Sequence, residues 1–125
     1  MVYPYKPPLM SHFETFKIAQ AGTAETIRFC PGYCGKIKTY RSVLGGALSG
    51  ADGGISLNVV DENGVSTDVT PDLTLTQSGS AAGDIDEADA TAGQYFLQTD
   101  YIEIVNDGAA TGTDPVYITL EMQVA

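Results

Sequence analysis

The feature that most constrains this chain is a strict two-residue alternation in its last ten positions. Val116, Ile118, Leu120, Met122 and Val124 fall on one side, and Tyr117, Thr119, Glu121 and Gln123 on the other. Successive side chains of an extended strand point to opposite faces, so this pattern predicts a strand with one face in a core and the other toward solvent or an interface. Upstream the same period recurs. Ile55, Leu57 and Val59 alternate before Asp61-Glu62-Asn63-Gly64, where the Asn-Gly pair predicts a type I′ hairpin turn. No apolar stripe of period 3.6 persists for ten residues, and glycine breaks both alanine-rich stretches.

Strands are expected over His12–Gln20 (Phe16 and Ile18 on one face, Phe13 on the other), Glu25–Cys30 (Ile27 and Phe29 together) and Gly35–Leu44 (Ile37 and Val43 together). Others are expected at Val65–Thr70, Leu73–Gln77, Tyr95–Leu97, Tyr101–Val105 and Val116–Val124. Two long loops separate them, residues 45 to 54 with five glycines and residues 78 to 93 rich in acids. The chain has 125 residues, enough for one domain and one core. Eight to nine short strands predict an all-β fold, an antiparallel β-sandwich of which the jelly roll is one form. It would occupy residues 12–125. Residues 1–11, with Pro4, Pro7 and Pro8, predict an extended arm.

Charge is unevenly distributed. The formal net charge is −10, yet Lys6, Lys17, Arg28, Lys36, Lys38 and Arg41 are the only basic residues. Against Glu14 and Glu25 they give the first 41 positions a net +4, and the remainder has fourteen acids and no cation. One reading is solubility alone. The sharper one is polarity, with a basic end toward a partner and an acidic end toward water. The acidic balance argues against nucleic acid and against an anionic membrane surface as partners. The N-terminus lacks the pattern of a signal peptide, and no run approaches the ~20 apolar residues of a membrane span, so synthesis and retention in the cytoplasm are expected.

The chemistry-bearing residues are sparse. Cys30 and Cys34 flank the turn dipeptide Pro31-Gly32; two thiols and the single histidine, His12, cannot complete a four-ligand zinc site. Buried or half-buried free thiols are expected, with a bridge formed in an oxidising medium as the alternative. His12 stands at the exit of the arm, a poor position for a base or nucleophile partner. The cluster Asp84, Asp86, Glu87, Asp89 lacks the glycine and glutamate of a calcium-binding helix–loop–helix, which leaves a solvated acidic loop or a loose calcium site. Gly45-Gly46 and Gly53-Gly54 have no following lysine, so they read as turns and not as phosphate loops. No catalytic residue, metal site or cofactor is expected.

The run Gly79-Ser80-Ala81-Ala82-Gly83-Asp84, then Ala90-Thr91-Ala92, then Asp100-Tyr101-Ile102-Glu103-Ile104-Val105-Asn106-Asp107-Gly108 and Gly112, resembles the C-terminal half of small virion proteins of tailed bacteriophages. Gly35-Lys36-Ile37 before a Gly/Ala/Asp-rich loop extends the resemblance over roughly residues 35–125. Gln98-Thr99-Asp100 departs from the Gly-Asp that often precedes the Ile-x-Ile strand in such proteins. The resemblance implies a capsid decoration (cement) protein made in the host cytoplasm and bound to the capsid surface of the virion. It implies the major capsid protein as partner, a homo-oligomer that is commonly a trimer, and no enzymatic activity. The arm (Tyr3, Pro4, Tyr5, Lys6, Pro7, Pro8) and the basic residues Lys17, Lys36, Lys38 and Arg41 are then the candidate partner-binding set. A β-sandwich module for a host glycan or calcium, and a tail or fibre component, are the competing readings.

Overall fold

A computed structural model describes residues 10–124. Among these residues nine strands form two antiparallel sheets. They are β1 (Ser11–Ile18), β2 (Glu25–Phe29), β3 (Gly35–Leu44), β4 (Gly53–Val60), β5 (Ser66–Leu75), β6 (Ile85–Asp89), β7 (Tyr95–Phe96), β8 (Tyr101–Asn106) and β9 (Val116–Val124). The first sheet runs β1-β9-β3-β6, with the two-residue β7 also on β3; the second runs β2-β8-β4-β5. With β7 set aside, each sheet draws strands alternately from the two ends of the chain, which is the winding of a jelly roll.

The inward rows meet between the sheets. Val116, Ile118, Leu120 and Met122 of β9 face Ile55, Leu57 and Val59 of β4 and Ile102 and Ile104 of β8, all buried. Such alternation fixes register, because a one-residue slip would turn the whole apolar row to water. One lateral side is stitched shut: Thr70 and Ala92 form an isolated bridge, and Asp86 accepts bonds from the N–H and hydroxyl of Thr76 (3.0 Å each). On the other side β1 and β2 bring Phe16 and Phe29 together, with ring centroids 4.5 Å apart.

Several expectations need correction. Val43 does not share a face with Ile37. A bulge between Ile37 and Thr39 sets two β3 residues against one step of β9, which reverses parity, so Tyr40, Ser42 and Leu44 point inward and Val43 outward. Val65–Thr70 and Leu73–Gln77 are one strand, β5, which stays paired with β4 across an irregularity at Thr70-Pro71-Asp72. Residues 78 to 93 are not all loop, because Ile85–Asp89 pairs with β3 as β6. Gly53-Gly54 lies in β4, not in a turn; a Cβ at Gly53 would crowd Ala110 at 3.0 Å and Leu75 at 3.1 Å, so a larger residue there would have to displace them. The Asn63-Gly64 turn is not type I′. Only Gly64 has positive φ (81°), and Asp61 closes the loop by accepting the N–H groups of Asn63 and Val65 (2.9 Å each).

The tip that joins the sheets carries Cys30 and Cys34, and both are free and exposed, not buried. Between them Tyr33 turns inward, 5.2 Å from the His12 ring and 5.6 Å from that of Phe96. That aromatic anchor fixes the tip and leaves the flanking thiols in water.

Candidate docking face

The proposed arm residues Tyr3, Pro4, Tyr5, Lys6, Pro7 and Pro8 lie outside the described residues. The strand ladder begins at its boundary: Ser11 pairs with Gln123, and Met10 accepts the Val124 N–H at 3.0 Å. The other four candidates, Lys17, Lys36, Lys38 and Arg41, all stand on the outer face of the first sheet. They form no basic end. Lys17 pairs across to Tyr117 near one end of β9, and Lys36 to Gln123 near the other. At ~3.4 Å per residue these ends are roughly 20 Å apart, and four strands span about 15 Å.

The register places the remainder of this face. Tyr117 lies between Lys17 and Val43, and Val43 is opposite Ile85. Thr119 lies between Thr15 and Arg41, and Arg41 is opposite Glu87. Phe13 is opposite Glu121, and Lys36 is opposite Tyr95. Four large apolar side chains here are open to water: Phe13 (57%), Ile85 (62%), Tyr95 (68%) and Tyr117 (38%). The strands of the second sheet's outer face expose no large apolar side chain; Arg28, Glu103 and Asp68 lie along it.

The cations differ in what surrounds them. Arg41 donates from Nε to Glu87 Oε2 at 2.9 Å. That hydrogen bond, then the Glu87 charge, holds its guanidinium above its ordinary pKa. Lys38 approaches Glu121 at 3.9 Å. Exposed pairs of this kind contribute only ~0–1 kcal/mol, so they orient side chains more than they stabilise. Lys17 and Lys36 have no ion pair among the described residues, and each lies cross-strand from an exposed tyrosine, Tyr117 and Tyr95 respectively. An ammonium cross-strand from an exposed aromatic ring suits contact with a second macromolecule: tyrosine supplies apolar area with a polar tip, and lysine a long-range charge.

Sequence reasoning missed the aromatic half of this face. Tyr117 was legible as the outward row of β9, and a strand was expected at Tyr95–Leu97, but the face on which Tyr95 stands depends on its pairing with Lys36 of β3; Ile85 was hidden because β6 is short and acidic.

The acids are not gathered on the far side. Glu87, Asp89 and Glu121 share the face with the lysines. Six of the fourteen C-terminal acids instead cap loops, accepting backbone N–H bonds: Asp52 from Gln77, Asp61 from Asn63 and Val65, Asp84 from Ala81, Asp86 from Thr76, Asp100 from Leu97, and Asp107 from Gly54 and Ala109. In the Asp84–Asp89 segment each carboxylate goes a different way, Glu87 to Arg41 and Asp89 to the Thr39 hydroxyl (3.0 Å). Among the described residues no group of three or more His, Cys, Asp or Glu is placed to hold a metal ion. A shallow cavity of about 400 Å³ opens at Gln20, Gly22, Thr23 and Gly108–Thr113, lined by small residues and backbone. No helix among the described residues is long and apolar enough to cross a membrane.

No family model matches the chain, and no curated protein matches it.

Proposed function

We propose that this chain is a structural protein that docks on a larger protein assembly through the outer face of its first sheet, and that the assembly is the outer surface of a bacteriophage capsid. The observation that carries the docking reading is the asymmetry between the two outer faces. One exposes Phe13, Ile85, Tyr95 and Tyr117 among lysines, and the strands of the other expose no large apolar side chain. The capsid reading is supported by the resemblance of residues 35–125 to small phage virion proteins, and by a jelly-roll winding that virion proteins share with lectins and other binding modules. Acidic capsid patches would meet Lys17 and Lys36, and residues 1–9 would extend the contact from the start of β1.

The test is co-sedimentation with purified capsids. Lys17→Glu combined with Lys36→Glu reverses both unpaired charges without touching the core, and it should reduce capsid occupancy about tenfold or more. Deleting residues 1–9, which spares the ladder from Met10 onward, should also weaken binding. Full occupancy by both variants refutes this docking face.

A further inference from the structure

Four strands bound the two sheets: β1 and β6 in the first, β2 and β5 in the second. A free edge offers unpaired N–H and C=O groups to any extended chain, so edges are shielded by proline, bulges, charge or brevity. Three of these are shielded. β5 has Pro71, an irregular register and the Thr70–Ala92 bridge. β6 has five residues, of which Asp86, Glu87 and Asp89 are acids. β2 has five, with Glu25 and Arg28.

β1 is different. Its eight residues pair with β9 in unbroken register, and only Glu14 and Lys17 are formally charged. The Val124 N–H to Met10 C=O bond shows that even-numbered residues bond to β9. The N–H and C=O groups of Ser11, Phe13, Thr15 and Lys17 therefore point out of the sheet edge. Among the described residues no strand pairs with them.

We infer that this edge pairs antiparallel with β1 of a second copy, about a two-fold axis at Phe13. Three registers engage at least three of the four outward-pointing residues, and side-chain chemistry separates them. Centring on Glu14 sets two carboxylates directly opposite one another, which is destabilising. Centring on Thr15 sets Glu14 against Phe16 of the other copy and leaves its charge unanswered. Centring on Phe13 sets Ser11 against Thr15, His12 against Glu14 on both sides of the axis, and Phe13 against itself. Imidazole meets carboxylate twice, and an aromatic ring 57% open to water gains a cross-strand aromatic partner.

An axis perpendicular to the sheet keeps both docking faces on the same side. One face measures roughly 20 by 15 Å, about 300 Å² in projection and well short of the ~800 Å² per partner of an ordinary stable interface. Two faces side by side double it. The resulting assembly is a dimer, in contrast to the trimer that the resemblance implies.

The test is the mass of the full chain in solution, by light scattering after size-exclusion chromatography or by sedimentation over a range of concentrations. The expected species is a reversible dimer. Phe13→Glu places like charges at the axis, and Thr15→Pro removes an outward N–H but no backbone bond to β9, losing only the exposed hydroxyl pair of Thr15 and Thr119 (2.9 Å). Each should raise the concentration of half-dimerisation about tenfold or more, with an unchanged far-ultraviolet circular dichroism spectrum. A monomer at every concentration, a trimer, or a dimer unaffected by both substitutions overturns the inference. The readout is the mass of the protein with no capsid present, so this outcome is independent of the capsid test, which varies Lys17 and Lys36.

Discussion

Asn106 gives the most exacting test of how the jelly roll is held at the crossing from β1 to β2. The residue is 1% exposed at the end of β8, and its Nδ2 donates to three carbonyls of that crossing: Thr23 at 2.8 Å, Ala21 at 3.1 Å and Gln20 at 3.4 Å. An amide has two donor hydrogens, so the longest contact shares one of them. Asn106→Ala removes two net bonds at ~1 kcal/mol each and leaves the Ala21 carbonyl without its donor at a further ~1–2 kcal/mol, an expected loss of about 3 kcal/mol. Asn106→Asp keeps the shape but replaces the donor with an anion facing those oxygens, and should cost at least ~1 kcal/mol more. The carboxyl would favour its protonated form in the folded state, so the Asp variant should regain stability as pH falls. With no tryptophan in the chain, urea unfolding followed by circular dichroism is the assay. An Asn106→Ala variant within ~0.5 kcal/mol of wild type, or an Asp variant no worse than the Ala one, would refute the reasoning.

Tyr40 should reveal itself through pH. Its hydroxyl donates to the Pro71 carbonyl, and burial first, then Asp72 and Asp89, push its pKa up to about 12. A raised pKa means full stabilisation below the ordinary tyrosine value near 10, lost as pH climbs toward the folded value. The advantage of wild type over Tyr40→Phe, about 1–2 kcal/mol at pH 8, should therefore narrow between pH 10 and 12, as read from urea midpoints. The β3 bulge predicts that Val43→Thr costs under ~0.5 kcal/mol while Ile37→Thr costs ~2 kcal/mol or more; equal losses would contradict the reversed parity. Millimolar calcium should leave the melting temperature unchanged, because the Asp84–Asp89 carboxylates diverge; a clear upward shift would revive the calcium-site reading.

Regular alternation was legible, and its interruptions were not. β9 and the Ile55-Leu57-Val59 row of β4 could be read because neither strand itself carries an inserted residue; the extra residues fall in their partners β3 and β5. The Lys38 bulge leaves no mark in the local pattern, since Ile37 and Val43 look equivalent until β9 imposes its register. β6 escaped notice because aspartate and glutamate disfavour strands. It forms where Ala88 packs on the core and Glu87 and Asp89 find Arg41 and Thr39 across the ladder. At the candidate site, the lysines were legible as a charge count in the chain. Their placement beside Tyr95 and Tyr117 depends on strand order, which only the folded chain supplies.

We propose above that this sandwich docks on a capsid through the outer face of its first sheet. Electron cryomicroscopy of intact particles carrying the protein measures this directly. The expected result is density for the sandwich on the outside of the shell, with Lys17, Lys36, Tyr95 and Tyr117 against the major capsid protein and the second sheet toward solvent. Density on the tail, or on the shell with the second sheet facing inward, would contradict it.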